Sequence, residues 1–309
     1  MKKFSAEGVL FLITLIWGAT FVIIKVALQD ISPLLFISFR FLLASLILLP
    51  FVFKPLLKIS KAELYGGLLL GTIYFLAFTT QTVGLNYTTA TKSGFITGSF
   101  IIFTAIFQLL IEKRVPGKGT LVGITLVVAG LVLLSSKGTS ILYIFLEIGD
   151  NFNIGDLFTF FCAIFYALYL VYLDIISKKF NYLTLSFLQI ALTFILGFTF
   201  AIIFSATGIE SLRLVFNNNV LLALIYTSVL ATALSTTLQT RYQKFVTPTF
   251  AGIIFSFEPI FAAMFAFFVL SEKISNFGFI GCVLIFSGLI VSEVFDRTKH
   301  NIKEMKNEQ

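Results

Sequence analysis

The chain has 309 residues, long enough for one large or two modest domains. Apolar residues make up 58% of it, while Asp, Glu, Lys and Arg make up only 12%, about half the charged share of an ordinary soluble domain. Mean hydropathy is +1.00, and so few charges cannot cover that much apolar surface in water. Most of it must face lipid or other membrane helices. The net charge of +7 comes from short basic clusters scattered between apolar runs, which points to orientation in a membrane and excludes a nucleic-acid surface.

Stretches of the roughly 20 apolar residues that a spanning helix needs fall near 8–28, 32–53, 64–84, 90–111, 119–136, 154–176, 182–204, 219–240, 247–270 and 277–294. The first follows Met1-Lys2-Lys3 and has no small-x-small cleavage site before Lys25, so it reads as a span and not as a signal peptide. With the N-terminus placed in the cytoplasm, the clusters at Lys2-Lys3, Lys54 to Lys61, Lys113 to Lys118, Lys178-Lys179, Arg241 to Lys244 and Arg297 to Lys306 all fall inside. Lys92, Lys137, Arg213 and Lys273 fall outside. That asymmetry predicts cytoplasmic termini and an even number of spans. The polar tail at 295–309 is expected to be cytoplasmic and partly disordered.

The two halves repeat one another. Phe107 to Glu112-Lys113, followed by Gly123 and Gly130, matches Phe267 to Glu272-Lys273, followed by Gly281 and Gly288, and Gly8 and Gly155 open helices at matching places. Five spans per half is an odd number, so the second copy enters the membrane upside down. The fold class predicted is an all-α integral membrane protein of about ten transmembrane helices, built as two inverted five-helix repeats at 8–136 and 154–294 with a connecting loop at 137–153. Inverted repeats are the architecture of alternating-access carriers.

On this frame Trp17-Gly18-Ala19-Thr20-Phe21 with Lys25, and Phe39-Arg40-Phe41-Leu42-Leu43-Ala44, resemble the opening of the EamA domain of the drug/metabolite transporter superfamily. Thr88 to Gly98 resembles its fourth helix, and Ser256-Phe257-Glu258-Pro259-Ile260-Phe261 with Glu272-Lys273 is similar to the same region of a second copy. The resemblance covers about residues 8–292. It implies a ten-helix carrier in the bacterial inner membrane, commonly an exporter of amino acids, metabolites or drugs. Ser99 stands where the second copy has Pro259, so a symmetrical kink is not expected. The Phe-rich, Lys-rich composition points to an AT-rich genome.

Glu258 lies about nine residues from either end of the ninth span, and an ionisable group at that depth marks a functional site by default. It is a candidate to exchange a proton or hold a cationic amine, the competing role being to bond backbone groups freed by Pro259. Arg40, some eight residues into the second span, is the other coupling candidate and is expected to pair with a helix C-terminus or a carboxylate such as Asp30 or Glu258. Lys25 is expected to snorkel to the interface, and Lys92 is a candidate to bind a solute carboxylate. Tyr74, Phe78 and Gln81 share one face of the third span, as Ser228, Thr232, Ser235 and Gln239 do on the eighth. Tyr166, Tyr169 and Tyr172 form a stripe on the sixth span, and Trp17 joins them from the first. These faces suit an amphiphilic solute; interfacial anchoring and interhelical bonding are the alternatives. The small-residue patterns Gly67-x3-Gly71 and Gly94-x3-Gly98 read as helix packing, with the glycines of the fifth and tenth spans as either packing or a homodimer face. Glu112 and Glu272, at helix ends, are expected to pair with a basic neighbour or an incoming helix N-terminus.

Cys162 and Cys282 sit apart in apolar segments and His300 lies in the tail, so disulfide, metal and cofactor readings lack ligands. No HExxH, GxSxG or Walker A sequence is present. The partners expected are a small-molecule solute and the lipid bilayer. An intramembrane enzyme or a non-transporting scaffold is the competing class.

Overall fold

Polar side chains mark where each helix starts. In the computed structural model, which describes residues 2–135, 152–272 and 275–307, Ser60, Thr89, Asn153, Asn217 and Thr247 each accept a backbone N–H from the first turn of the following helix. Such caps satisfy donors that have no partner within the helix. The elements are α1 (Lys2–Ala27), α2 (Pro33–Leu56), α3 (Lys61–Tyr87), α4 (Ala90–Gly98), α5 (Phe100–Glu112), α6 (Lys118–Ser135), α7 (Ile154–Ser177) and α8 (Tyr182–Ala206). They continue with α9 (Asn218–Tyr226), a π-helical stretch (Thr227–Leu234), α10 (Ser235–Tyr242), a 3-10 turn (Gln243–Phe245), α11 (Pro248–Phe255), α12 (Glu258–Leu270) and α13 (Asn276–Asn307).

Eight stretches are long and apolar enough to cross a membrane, and two shorter apolar helices, Lys118–Leu134 and Asn276–Ser292, complete about ten. Among the described residues the only β pairing is an isolated bridge between Ile31 and Leu214. Leu46, Phe51, Leu110, Phe268 and Phe286 are exposed, as befits side chains in contact with lipid. Successive spans run antiparallel, so the bundle has two ends, called here the Lys92 end and the Lys178 end.

Among the described residues three spans are discontinuous. The fourth breaks at Ser99, between α4 and α5, without a proline, so both copies break at this level where a symmetrical kink was not expected. Ser99 N–H bonds Ile96 O at 3.1 Å, and its hydroxyl bonds the same carbonyl at 2.7 Å, tightening the turn and withdrawing that carbonyl from the i+4 ladder. The ninth breaks at Ser256-Phe257, between α11 and α12. The eighth changes to π geometry at its centre. After the fourth and ninth spans, Lys113 and Ser271 both adopt a left-handed conformation with φ of 56°, so the two copies end these spans alike. The register sets Lys113 against Ser271 and Ser99 against Phe257, two residues from the match with Lys273 and Pro259 expected from the sequence.

Glycines set the helix crossings. A Cβ on Gly123 would lie 2.8 Å from Gly288 O, and one on Gly288 would lie 2.8 Å from Gly123 O; Gly130 and Gly281 oppose one another in the same reciprocal way. The glycine faces of α6 and α13 are therefore packed against each other. Gly67 and Gly71 receive Leu188, Gln189 and Leu192 of α8, and Gly84 meets Gly155 across α3 and α7.

At the Lys92 end Asp30 accepts from Asn217 Nδ2 at 2.7 Å. Glu272 accepts from Thr91 at the N-terminus of α4, as expected. Glu112 lies 3.9 Å from Arg114 and touches the carboxyl of Asp174, which pairs with Lys178. α13 continues as helix to Asn307. Lys137, Lys273 and most of the connecting loop at 137–153 lie outside the described residues.

Candidate functional site

A small cavity, with about 20 Å³ of room for the centres of water-sized spheres, lies inside the bundle, lined by Trp17, Thr20, Arg40, Ala77, Phe78, Gln81, Thr97, Cys162, Tyr166 and Glu258. It draws on α1, α2, α3, α4, α7 and α12, hence on both halves of the chain. All of these residues are buried except Gln81, which is partly exposed.

Glu258 is the first residue of α12, where the partial positive charge of a helix N-terminus favours a carboxylate. The break in the ninth span places it there, at mid-depth. Close approach brings the neighbouring helices to this point. A Cβ on Gly18 of α1 would lie 3.1 Å from Glu258 O, and one on Gly98 of α4 would lie 2.8 Å from Pro259 Cγ. The break at Ser99 thus abuts the break at Ser256-Phe257. Among the described residues the Glu258 carboxylate has no hydrogen-bond or ion-pair partner. The N–H groups at the break bond instead to Gly252, Ile253 and Ile254 carbonyls. The alternative role, bonding backbone freed by Pro259, is not what this carboxylate does.

Trp17 donates its indole N–H to Ala231 O at 2.9 Å and stands edge-on to Tyr166 with ring centroids 6.0 Å apart. Thr20 bonds Trp17 O at 2.6 Å. Arg40 is 1% exposed; its Nε donates to Thr232 Oγ1 at 2.8 Å, and its guanidinium lies 4.9 Å from the Phe78 ring centroid. It forms no ion pair with Asp30 or Glu258, correcting the expectation of a carboxylate partner.

Toward the Lys178 end the cavity is closed by a polar and aromatic floor. Tyr74 hydrogen-bonds Thr236 at 2.7 Å, Gln239 donates to Tyr166 Oη at 3.0 Å, and Gln189 donates to Thr240 at 3.1 Å. Tyr169 packs between Tyr74 and Tyr166, with centroids 4.9 and 5.7 Å away. Toward the Lys92 end Lys92 Nζ sits 2.6 Å from Asp156 Oδ2, and Asp156 also accepts Thr88 Oγ1 at 2.7 Å. Lys25 donates to Leu85 O and Asn86 O at 2.8 and 3.2 Å; it caps α3 where snorkelling was expected.

Of the residues singled out from sequence, Trp17, Arg40, Phe78, Gln81, Tyr166 and Glu258 converge on one cavity. Tyr74, Tyr169 and Gln239 form its floor, Lys92 belongs to its roof, and Ser235 bonds Leu230 O within its own span. Thr20, Ala77, Thr97 and Cys162 escaped the sequence reading. Helical spacing gave a signal for two of them: Thr20 lies three residues after Trp17, and Cys162 four before Tyr166.

Broken helices meeting at mid-depth around a charge-bearing cavity are an arrangement found in membrane transporters. The profile of the EamA-like transporter family matches residues 5–136 and 153–293, and the chain belongs to that family, within the drug/metabolite transporter superfamily. An uncharacterized transporter of Archaeoglobus fulgidus is 34% identical over 94% of this chain and 86% of its own length. A probable amino-acid metabolite efflux pump of Escherichia coli is 26% identical over 93% of this chain and 94% of its own. A solved crystal structure, 15% identical in sequence, superposes with a TM-score of 0.72 over 95% of this chain and 99% of its own, which shows the fold.

Proposed function

We propose that the protein is a secondary carrier that exports small organic metabolites, amino acids or related amphiphilic solutes, across the plasma membrane. It works by alternating access of inverted repeats at 8–136 and 154–294, with both termini in the cytoplasm. The observation that carries this reading is the cavity beside the two broken helices, with a Glu258 carboxylate on its wall that has no partner among the described residues. An ionisable group held at such depth without a protein partner is retained for a solute or a proton. Trp17, Phe78 and Tyr166 supply apolar and π surface for the rest of the solute. The solute class and the outward direction draw further support from the name of the Escherichia coli relative, a probable amino-acid metabolite efflux pump.

The test is counterflow. Purified protein in liposomes preloaded with unlabelled amino acids, amines or nucleobase-like solutes accumulates the labelled form of one class, saturably. Absence of exchange across the whole panel, from protein shown to be folded, removes the transport reading of this cavity.

A further inference from the structure

Arg40 presents a second unpaired charge on the wall opposite in sign to Glu258. A guanidinium carries five N–H donors in a planar fork, yet among the described residues Arg40 makes one hydrogen bond, from Nε to the neutral hydroxyl of Thr232. Its remaining contacts are the faces of Phe78 and Phe41, 4.9 and 5.3 Å away. A buried cation without a counter-anion is costly, and two acids beside the start of α2 are engaged elsewhere: Asp30 with Asn217, and Glu210 with the N–H of Leu34. Arg40 lines the cavity, and among the described residues its terminal nitrogens make no hydrogen bond.

We propose that Arg40 is the carboxylate subsite of this cavity, with Thr232 as its placeholder in the empty carrier, so that the solute is a zwitterion with its carboxylate on Arg40 and its ammonium toward Glu258. This rests on the transport reading above. The carboxylate makes the paired, charge-assisted bonds that a hydroxyl cannot. A zwitterion neutralises both walls, whereas an amine leaves Arg40 uncompensated and an anion does the same to Glu258.

The placeholder also ties binding to a deformable element. Thr232 and Ala231 are consecutive residues of the π-helical stretch, held by Arg40 and Trp17 respectively. When the solute takes Arg40 from Thr232, one of the two bonds holding this stretch to α1 and α2 is lost. The occupied cavity thereby frees the centre of the eighth span to rearrange, and π geometry inside a helix is where such rearrangement is expected.

The experiment uses the full-length protein, in detergent for thermal shift and in liposomes for counterflow. The probes are the protein amino acids and, for each that acts, the matched amine without carboxylate and the matched acid without amino group. The expected result is that at least one amino acid raises the melting temperature and exchanges, while its amine and its acid are each weaker by about a hundredfold or more, as a site with unmet polar groups demands. Arg40→Gln loses the preference for amino acid over amine. Thr232→Val, which removes the placeholder and keeps the shape, tightens amino-acid binding several-fold without affecting the amine, and it decides the matter where Arg40→Gln does not fold. An amine as effective as its amino acid, no shift with any amino acid, or unchanged affinity in Thr232→Val overturns the proposal. Amine counterflow would then leave the transport reading standing, whereas amino-acid binding without counterflow keeps the subsite and removes the transport reading.

Discussion

Glu258 concentrates the argument at the scale of single residues. Insertion scales charge about 2.5–3.5 kcal/mol for an acid at the centre of a membrane helix, and the chain gives this one no donor in return beyond the N-terminal dipole of α12. A side chain kept for stability would show bonds, so the prediction separates stability from transport. Glu258→Gln is expected to lower counterflow by at least about tenfold while expression and melting temperature stay equal or rise, since removing a costly buried charge from a functional site commonly stabilises. A falling melting temperature with transport preserved would assign the residue to the scaffold. Glu258 is legible in the sequence because depth can be counted, and Tyr166 and Phe78 because aromatic residues at helical spacing stand out. The partners of Lys92 and Arg40 are not legible, because Asp156 and Thr232 lie 64 and 192 residues away in sequence. Nothing in the local pattern of either cation reports such a partner. Thr97 and Cys162 are small residues among many, and only the fold gathers them.

Among the elements, the small-residue crossings are readable and the breaks are not. Gly67-x3-Gly71 and Gly94-x3-Gly98 predict close packing, and close packing is found. The crossing of α6 and α13 gives a direct test. Gly130→Ala places a Cβ 2.6 Å from Gly281 O, and overpacking of this kind costs about 1–3 kcal/mol, read as a lowered melting temperature. Gly8→Ala, with nothing within 4 Å of the new Cβ, is the control and is expected to be neutral or to stabilise by about 0.5–1 kcal/mol. Equal effects of the two substitutions would deny the crossing. The break at Ser99 has no proline to announce it, and π geometry over Thr227–Leu234 leaves no mark in composition, because it answers to the bonds that Trp17 and Arg40 make to it. Deleting Val229, which is exposed, removes the surplus residue that a π turn accommodates and turns Ala231 and Thr232 away from Trp17 and Arg40. The expected outcome is a folded protein without transport and with shifted emission from Trp17, the only tryptophan in the chain; Val229→Ala should change neither. Unaltered emission and transport in the deletion would make the π stretch incidental.

For the whole molecule the duplication is visible in sequence because a seven-residue glycine interval recurs in both halves, and in the structure these glycines face one another across α6 and α13; the two Glu-Lys pairs lie two residues out of that register. What sequence does not convey is which end of the cavity is more heavily closed. Toward the Lys178 end lie the floor pairs Tyr74–Thr236, Gln239–Tyr166 and Gln189–Thr240. Toward the Lys92 end two acids of the second half, Asp156 and Glu272, hold residues 88–92 of the first. This closure is electrostatic. The Lys92 side chain is 25% exposed while that of Asp156 is fully buried, so losing the lysine leaves a carboxylate with only Thr88 and the start of α7 for partners. An alternating-access carrier sits between states separated by a few kcal/mol, and a shift of about 1.4 kcal/mol changes the open population tenfold. Cys162 reports that population, since it lies in the cavity wall and is 2% exposed, while Cys282 on α13 can be replaced by serine without touching the lining. In that Cys282→Ser background, Lys92→Met is expected to speed modification of Cys162 by a membrane-impermeant thiol reagent, added to intact cells, by about tenfold, and a transported solute should slow it again. If Lys92→Met leaves the rate unchanged, the Lys92–Asp156 pair is packing and not a gate. Acceleration only in inside-out vesicles would keep the gate and reverse the orientation assigned from the basic clusters.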